Sequence, residues 1–121
     1  MRRVLICGSR DFDNMQLISG MISQFDKDTV IIEGGASGAD TIARQAAQAV
    51  GLKVIEFPAD WNKYGKAAGP IRNQKMLDEG KPDVVYAFYK DRSKSRGTKH
   101  MVSIAKAKGI TVLEYESIDR I

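Results

Sequence analysis

Short apolar runs and amphipathic stretches alternate along the whole chain. Arg3 to Cys7 is almost unbroken apolar sequence and stops at Gly8, which predicts a first buried strand. Met15, Ile18, Ile22 and Phe25 then recur at helical spacing and predict a helix over about 13–25. Thr29 to Glu33 is β-branched and runs into Gly34-Gly35, a second strand. Ile42, Ala43, Ala46, Ala47 and Val50 mark a second helix over about 38–50, with Gly51 as its C-cap. Lys53 to Phe57 is a third strand, and Pro58 to Ala68 a long loop. Gly69-Pro70 opens a third helix with proline at the first position, where its missing N–H removes no bond, and Gly80 ends it. Asp83 to Phe88 and Ile110 to Tyr115 are the last two strands, on either side of a helix over about 97–108 closed by Gly109. Strict β/α alternation, with strands that show little polar alternation, predicts an α/β fold: a five-stranded, mostly parallel sheet with helices on both faces.

In an open parallel sheet the loops leaving the carboxyl ends of the strands form the ligand edge. Four segments fall there: Gly8-Ser9-Arg10, the run Gly34 to Asp40, Gly69-Pro70-Ile71-Arg72-Asn73, and Ser95-Arg96-Gly97-Thr98. Glycines allow a close backbone approach, and helix N-termini offer unpaired N–H groups to anions. Gly34, Gly35 and Gly38 lie within five residues, more than a simple turn requires. Ser37 and Asp40 have the spacing of a capping box with Asp in place of Glu. Read functionally, that loop bares its backbone to a ligand; read structurally, Ser37 and Asp40 only cap the helix. Arg10 could hold a phosphate, with Ser9 donating a hydrogen bond. Ser95, Arg96, Gly97 and Thr98 form a phosphate seat at a helix start, where Ser95 or Thr98 could equally be an ordinary cap. Arg72 and Asn73 fall in the first turn of a helix, where a cation is electrostatically unfavourable, which points to an outside anion. Trp61 and Tyr64 lie in the long loop beside Lys63 and Lys66; Trp61 could stack on a base or close the sheet edge as a lid.

Charge sharpens this picture. From Trp61 to Lys108 there are twelve Lys/Arg against four Asp/Glu, whereas the rest of the chain has seven against eleven. The asymmetry argues for an anionic partner, a phosphorylated small molecule or a nucleic acid strand. Neither the G-x-G-x-x-G fingerprint nor a G-x-x-x-x-G-K-[ST] loop is present, which argues against a conventional NAD dehydrogenase and a Walker-type ATPase. Cys7 is the only cysteine, so an internal disulfide and a thiolate zinc cluster are excluded; His100 is the only histidine, no His/Cys ligand set exists, and no Ser-His-Asp triad is evident. Cys7, ending an apolar strand, reads as a buried inert thiol. No metal site and no resident cofactor are expected, apart from Mg²⁺ carried in by a phosphorylated ligand, which needs few protein ligands.

A chain of 121 residues has the length of one domain, and 1–121 is read as one, with no linker. Its 43% hydrophobic and 28% charged residues are those of a soluble globular protein. The apolar run after Arg2-Arg3 is shorter than a signal peptide's core, and nothing approaches the ~20 apolar residues of a membrane span. A cytoplasmic protein without a membrane partner is expected.

These residues carry a resemblance. Gly8-Ser9-Arg10-Asp11-Phe12, Gly34 to Asp40, Phe57-Pro58-Ala59-Asp60-Trp61, Tyr64 to Asn73 and Gly97-Thr98 resemble the YspA-type, cpYpsA-related branch of the SLOG superfamily over nearly the whole chain. The run from Phe57 to Asn73 is the most specific part. The resemblance implies a single Rossmann-like domain whose glycine loop and Gly-Thr loop hold a nucleotide's phosphate and sugar, in a branch common in bacteria and phages. It also connects the chain to the Lonely Guy phosphoribohydrolases, which cleave the N-glycosidic bond of nucleoside 5′-monophosphates, and to the DNA-processing protein DprA. By analogy with SLOG enzymes it implies a homodimer. One departure matters: the phosphoribohydrolases carry P-G-G-x-G-T-x-x-E with a catalytic Glu, and here Met101 stands at that position. Arg72 does match the region of the family's functional arginine.

Three functions follow, in order. The first is binding of a nucleotide-derived ligand, as sensor or sequestering module, by Gly8, Ser9, Arg10, Gly34, Gly35, Ser37, Gly38, Asp40, Trp61, Arg72, Asn73, Ser95, Arg96, Gly97 and Thr98. The second is N-glycosidic hydrolysis of a nucleoside monophosphate, with Asp40 as the carboxylate and Arg72 stabilising the ribose phosphate. The third is single-stranded nucleic acid binding along the basic 61–108 half.

Overall fold

The structure is a computed structural model describing residues 2–117; Met1 and residues 118–121, which the one-domain reading includes, lie outside the described residues. Five strands, β1 (Arg3–Gly8), β2 (Val30–Glu33), β3 (Lys53–Glu56), β4 (Val84–Tyr89) and β5 (Thr111–Glu116), form one sheet in the order β3-β2-β1-β4-β5. Every pairing is parallel, so the sheet is parallel throughout rather than mostly so. The helices are α1 (Met15–Ile22), α2 (Ala39–Ala49), α3 (Trp61–Tyr64), α4 (Ala68–Gly80) and α5 (Arg96–Ala107).

The central strands are apolar on both faces because both faces are covered. Val4 and Ile6 of β1, Ile31 of β2 and Val84, Tyr86 and Phe88 of β4 pack under α1 and α2 through Ile18, Ile22, Ala39, Ala43 and Ala47. The alternate residues Leu5, Cys7, Ile32, Val85, Ala87 and Tyr89 pack against α4 and α5 through Met76, Leu77, Met101, Val102 and Ala105. The alanines of α2 keep that helix close to the sheet.

Strand order reverses between β1 and β4. The loop after β1 leads to one face, and the loop after β4 leads to the other. Their divergence opens a crevice at the carboxyl edge, the usual ligand position in such sheets.

Three boundaries differ from the sequence reading. α1 ends at Ile22 rather than near 25; Ser23, Gln24 and Phe25 close it in turn hydrogen bonds, and Phe25 still packs on the core. The loop 58–68 contains the single turn α3, capped by Asp60, whose Oδ1 accepts from Lys63 N at 3.1 Å, followed by a 3₁₀ turn over Gly65–Ala67. α4 begins at Ala68, so Pro70 is its third residue, still within the first turn where N–H groups have no intrahelical acceptor.

Candidate functional site

The β1 loop is held by a chain of hydroxyls. Ser95 Oγ donates to Asp91 O at 3.0 Å, which uses its only proton. Ser9 Oγ, 2.6 Å from Ser95 Oγ, is therefore the donor in that pair, and it accepts from Lys90 N at 3.0 Å. Both serines are buried. Neither has a proton left for a ligand, so the expected donation from Ser9 gives way to a role in locking the β1 loop to the β4 loop.

The β2 loop is held from two sides. Asp40 Oδ2 accepts from Gly34 N at 3.1 Å and from Ala36 N at 3.2 Å. Ser37 Oγ donates to Arg10 O at 3.1 Å, and Ala39 N to Ser9 O at 3.3 Å. The N-cap of α2 is Gly38, with no side-chain cap, so the Ser37/Asp40 capping box does not form. Asp40 instead shapes the glycine loop.

Arg72 closes the other side. Its Nη1 donates to Gly34 O and its Nε to Asn73 Oδ1 at 3.0 Å. A Cβ on Gly34 would fall 2.9 Å from the guanidinium carbon, so Gly34 is glycine to admit Arg72. Burial lowers the Arg72 pKa from its ordinary value, while the Asp40 carboxylate opposes that change. Asp40, buried beside it, is pushed up to about 6 by desolvation, against the two backbone donors and Arg72. A carboxyl titrating near 6 within reach of a guanidinium is suited to proton transfer near neutrality.

These loops surround a cavity of about 1020 Å³ at the switch point. Its walls include Gly8, Ser9, Arg10, Asp40, Trp61, Arg72, Asn73, Ser95, Arg96, Gly97 and Thr98. Eleven of the fifteen expected residues therefore meet around one space. Gly34, Gly35, Ser37 and Gly38 are not among its walls; from their loop, only Ala36 and Asp40 are. Trp61 is 47% exposed, with Arg10 stacked over its ring at 5.5 Å, so the pair bridges the β1 and β3 loops at the cavity.

The first turn of α5 faces the cavity. Ser95 is its N-cap but supplies no side-chain bond, and Arg96, Gly97 and Thr98 all line the cavity. Orphan N–H groups at such a turn attract anions.

Two groups of cations differ in their pairing. Lys90, Arg92, Lys106 and Lys108 are paired with Asp13, Glu114, Glu114 and Asp78. Arg10, Lys66, Arg96 and Lys99 have no ion pair among the described residues and all line the cavity. With Lys94, which pairs with Asp91, five of the twelve Lys/Arg over 61–108 thus serve internal pairing among the described residues.

Two other wall residues bear on chemistry. Burial, and then Asp40, raise the Cys7 thiol well above the usual thiol range, leaving it protonated. Met101 is fully buried. His100, to which the sequence pattern assigns no role, is also in the wall. Its i, i+4 spacing from Arg96 was the signal available. Among the described residues no group of three or more His, Cys, Asp and Glu is placed to hold a metal ion, and no helix is long and apolar enough to cross a membrane.

A profile of the YspA, cpYpsA-related SLOG family (YAcAr) matches residues 2–64. The chain is 37% identical over 124 aligned residues to the "Gene 61 protein" of Mycobacterium phage D29, covering 95% of this chain and 97% of that protein. Among solved structures, the DNA processing protein A (DprA) of Streptococcus pneumoniae superposes with a TM-score of 0.76 at 22% identity, over 94% of this chain. The chain spans half the length of that DprA chain, and the likeness is one of fold.

Proposed function

The chain belongs to the YspA, cpYpsA-related SLOG family, and from that premise we propose that it binds a nucleotide or nucleotide-derived phosphorylated ligand at the carboxyl edge of its sheet, as a sensor or sequestering module. One observation carries the reading: the uncapped first turn of α5 meets Arg10, Arg72 and Arg96 around a single cavity. Phosphate oxygens would take the α5 amides and Arg96, with Arg10 and Arg72 nearby. Trp61 offers a base an aromatic face. A Mg²⁺ ion arriving with the ligand would find Asp11 and Asp91 in the same wall.

Arg96 is the residue to replace first, because it is exposed and unpaired among the described residues, whereas Arg72 also supports the β2 loop. Charge-assisted hydrogen bonds contribute about 1.5–3 kcal/mol, so Arg96→Ala should weaken binding by about tenfold or more with an unchanged melting temperature. Calorimetry against AMP, ADP-ribose, cyclic ADP-ribose and NAD measures this. Absence of binding by every compound to the wild type, or equal binding by Arg96→Ala, would overturn the reading.

A second reading, N-glycosidic hydrolysis of a nucleoside monophosphate, is favoured by the Asp40 carboxyl beside Arg72, with its titration raised to about 6. Asp40→Asn keeps the shape and removes the base. It should abolish any release of free base, measured by chromatography; no release by the wild type, or undiminished release by the variant, rejects hydrolysis. Single-stranded nucleic acid binding has less support, because Lys90, Arg92, Lys106 and Lys108 are paired with acidic neighbours.

A further inference from the structure

Between Phe57 and Ala68 the chain leaves the body of the protein. Phe57 is tied down: its N donates to Glu33 O at 2.9 Å, and its ring packs on the α4/α5 side of the sheet. Ala68 is buried at the start of α4. Of the ten residues between them, nine are exposed and Ala59 is half-buried. α3 and the 3₁₀ turn after it bury no side chain. Their bonds run inward, from Lys63 N to Asp60 Oδ1 at 3.1 Å, from Tyr64 N to Asp60 O at 3.0 Å and from Gly65 N to Trp61 O. Among the described residues no side-chain hydrogen bond and no ion pair joins residues 58–67 to the rest of the chain.

Two contacts of Trp61 hold this segment against the body. Its ring lies under the Arg10 guanidinium at 5.5 Å, and its edge rests on Gly69, where a Cβ would fall 3.4 Å from Cη2. Gly65 ends α3 at φ +56°, and a Cβ there would meet nothing within 4 Å, so no packing stiffens that turn. An element with so little buried surface opens locally before the core does. The segment is also a partition. Trp61 and Lys66 wall the cavity of about 1020 Å³, Lys63 and Tyr64 wall a second space of about 650 Å³, and Arg72 lines both. We propose that residues 58–67 are a hinged flap, latched to the β1 loop by Arg10 on Trp61, whose release opens the two spaces into one around Arg72. The flap thereby sets the size of molecule that the carboxyl edge admits. The latch belongs to the free protein and does not depend on which ligand binds.

Amide hydrogen exchange of the full chain without ligand tests this, read at Lys63, Tyr64 and Gly65, whose N–H groups are bonded within the flap. Losing a cation–π contact between exposed groups raises an open population about two- to fivefold. Arg10→Gln should therefore speed exchange at these amides by that factor and leave α2 and α4 unchanged. Arg10→Lys keeps a cation and should restore most of the protection. Trp61→Leu keeps an apolar contact on Gly69 and should speed exchange as Arg10→Gln does, and the double variant no further. Both residues are exposed, so the variants are expected to fold. Unchanged exchange in Arg10→Gln, additive gains in the double variant, or an equal gain across α2 and α4 overturns the latch. Where exchange is too fast to follow, trypsin cleavage after Lys63 and Lys66 decides: it should accelerate in Arg10→Gln by the same factor, and equal cleavage rates in the two proteins overturn the proposal.

Discussion

Gly38→Ala is expected to destabilise the protein by more than about 3 kcal/mol and to abolish ligand binding with it. Gly38 has φ +74° and ψ −127°, a conformation reserved for glycine. The added Cβ would also lie within 2.5 Å of Arg10 O, and closer still to Ser9 O. Both obstacles are backbone atoms of the β1 loop, so no side-chain rotation relieves them. To accommodate the methyl, α2 must withdraw from that loop, breaking the Ala39 N to Ser9 O and Ser37 to Arg10 bonds. Gly51→Ala is the internal control: its φ is +78°, but a Cβ there meets nothing within 4 Å. Its cost is only the backbone strain, about 1 kcal/mol. Urea denaturation of the two variants compares them directly. Equal, small losses would mean that the junction of the β1 and β2 loops yields easily, and that it does not set the shape of the cavity.

The different roles of Gly34 and Gly38 mark the boundary of what the sequence disclosed. β/α periodicity and its glycine stops revealed the parallel sheet, and therefore which loops share the carboxyl edge. That sufficed to bring Arg10, Arg72 and Arg96 to one cavity. It did not reveal which backbone the glycines admit. Gly34 makes room for Arg72, thirty-eight residues away, and Gly38 makes room for the β1 loop. Such contacts depend on tertiary register and leave no local pattern. The Ser9–Ser95 bond spans eighty-six residues for the same reason. α3 was accessible, since Asp60 followed by Trp61-Asn62-Lys63 is a capping start, but one turn carries little periodicity. Glu33 closes the second strand, and nothing local in the sequence marks its carboxyl as fully buried.

That burial makes stability depend on pH through one proton. Glu33 Oε1 accepts from Gly35 N at 2.6 Å, while Oε2 is buried without a hydrogen-bond partner among the described residues. Its neighbour across the β2–β3 register is Glu56, whose carboxylate is held by Arg44 at 3.1 Å. A proton on Glu33 turns the orphan oxygen into a donor toward Glu56. Desolvation first, and then this hydrogen bond, push Glu33 up to about 8, while Glu56 is lowered by the same contact. With its folded pKa above the unfolded one, Glu33 contributes fully below about pH 4.5 and loses that contribution as pH rises through about 8. A tenfold change in proton affinity corresponds to about 1.4 kcal/mol, so the loss is on the order of a few kcal/mol once the opposing change at Glu56 is counted. Glu33→Gln copies the protonated side chain, with an amide to donate to Glu56 and an oxygen for Gly35 N. It should match wild type near pH 5 and exceed it increasingly up to pH 9. Asp40, raised to about 6, contributes the same slope at lower pH in both proteins and cancels from the comparison. Urea unfolding at pH 5, 7 and 9 tests this; a constant difference between the two proteins across that range would mean that Glu33 is ionised in the folded state and draws its stabilisation from elsewhere.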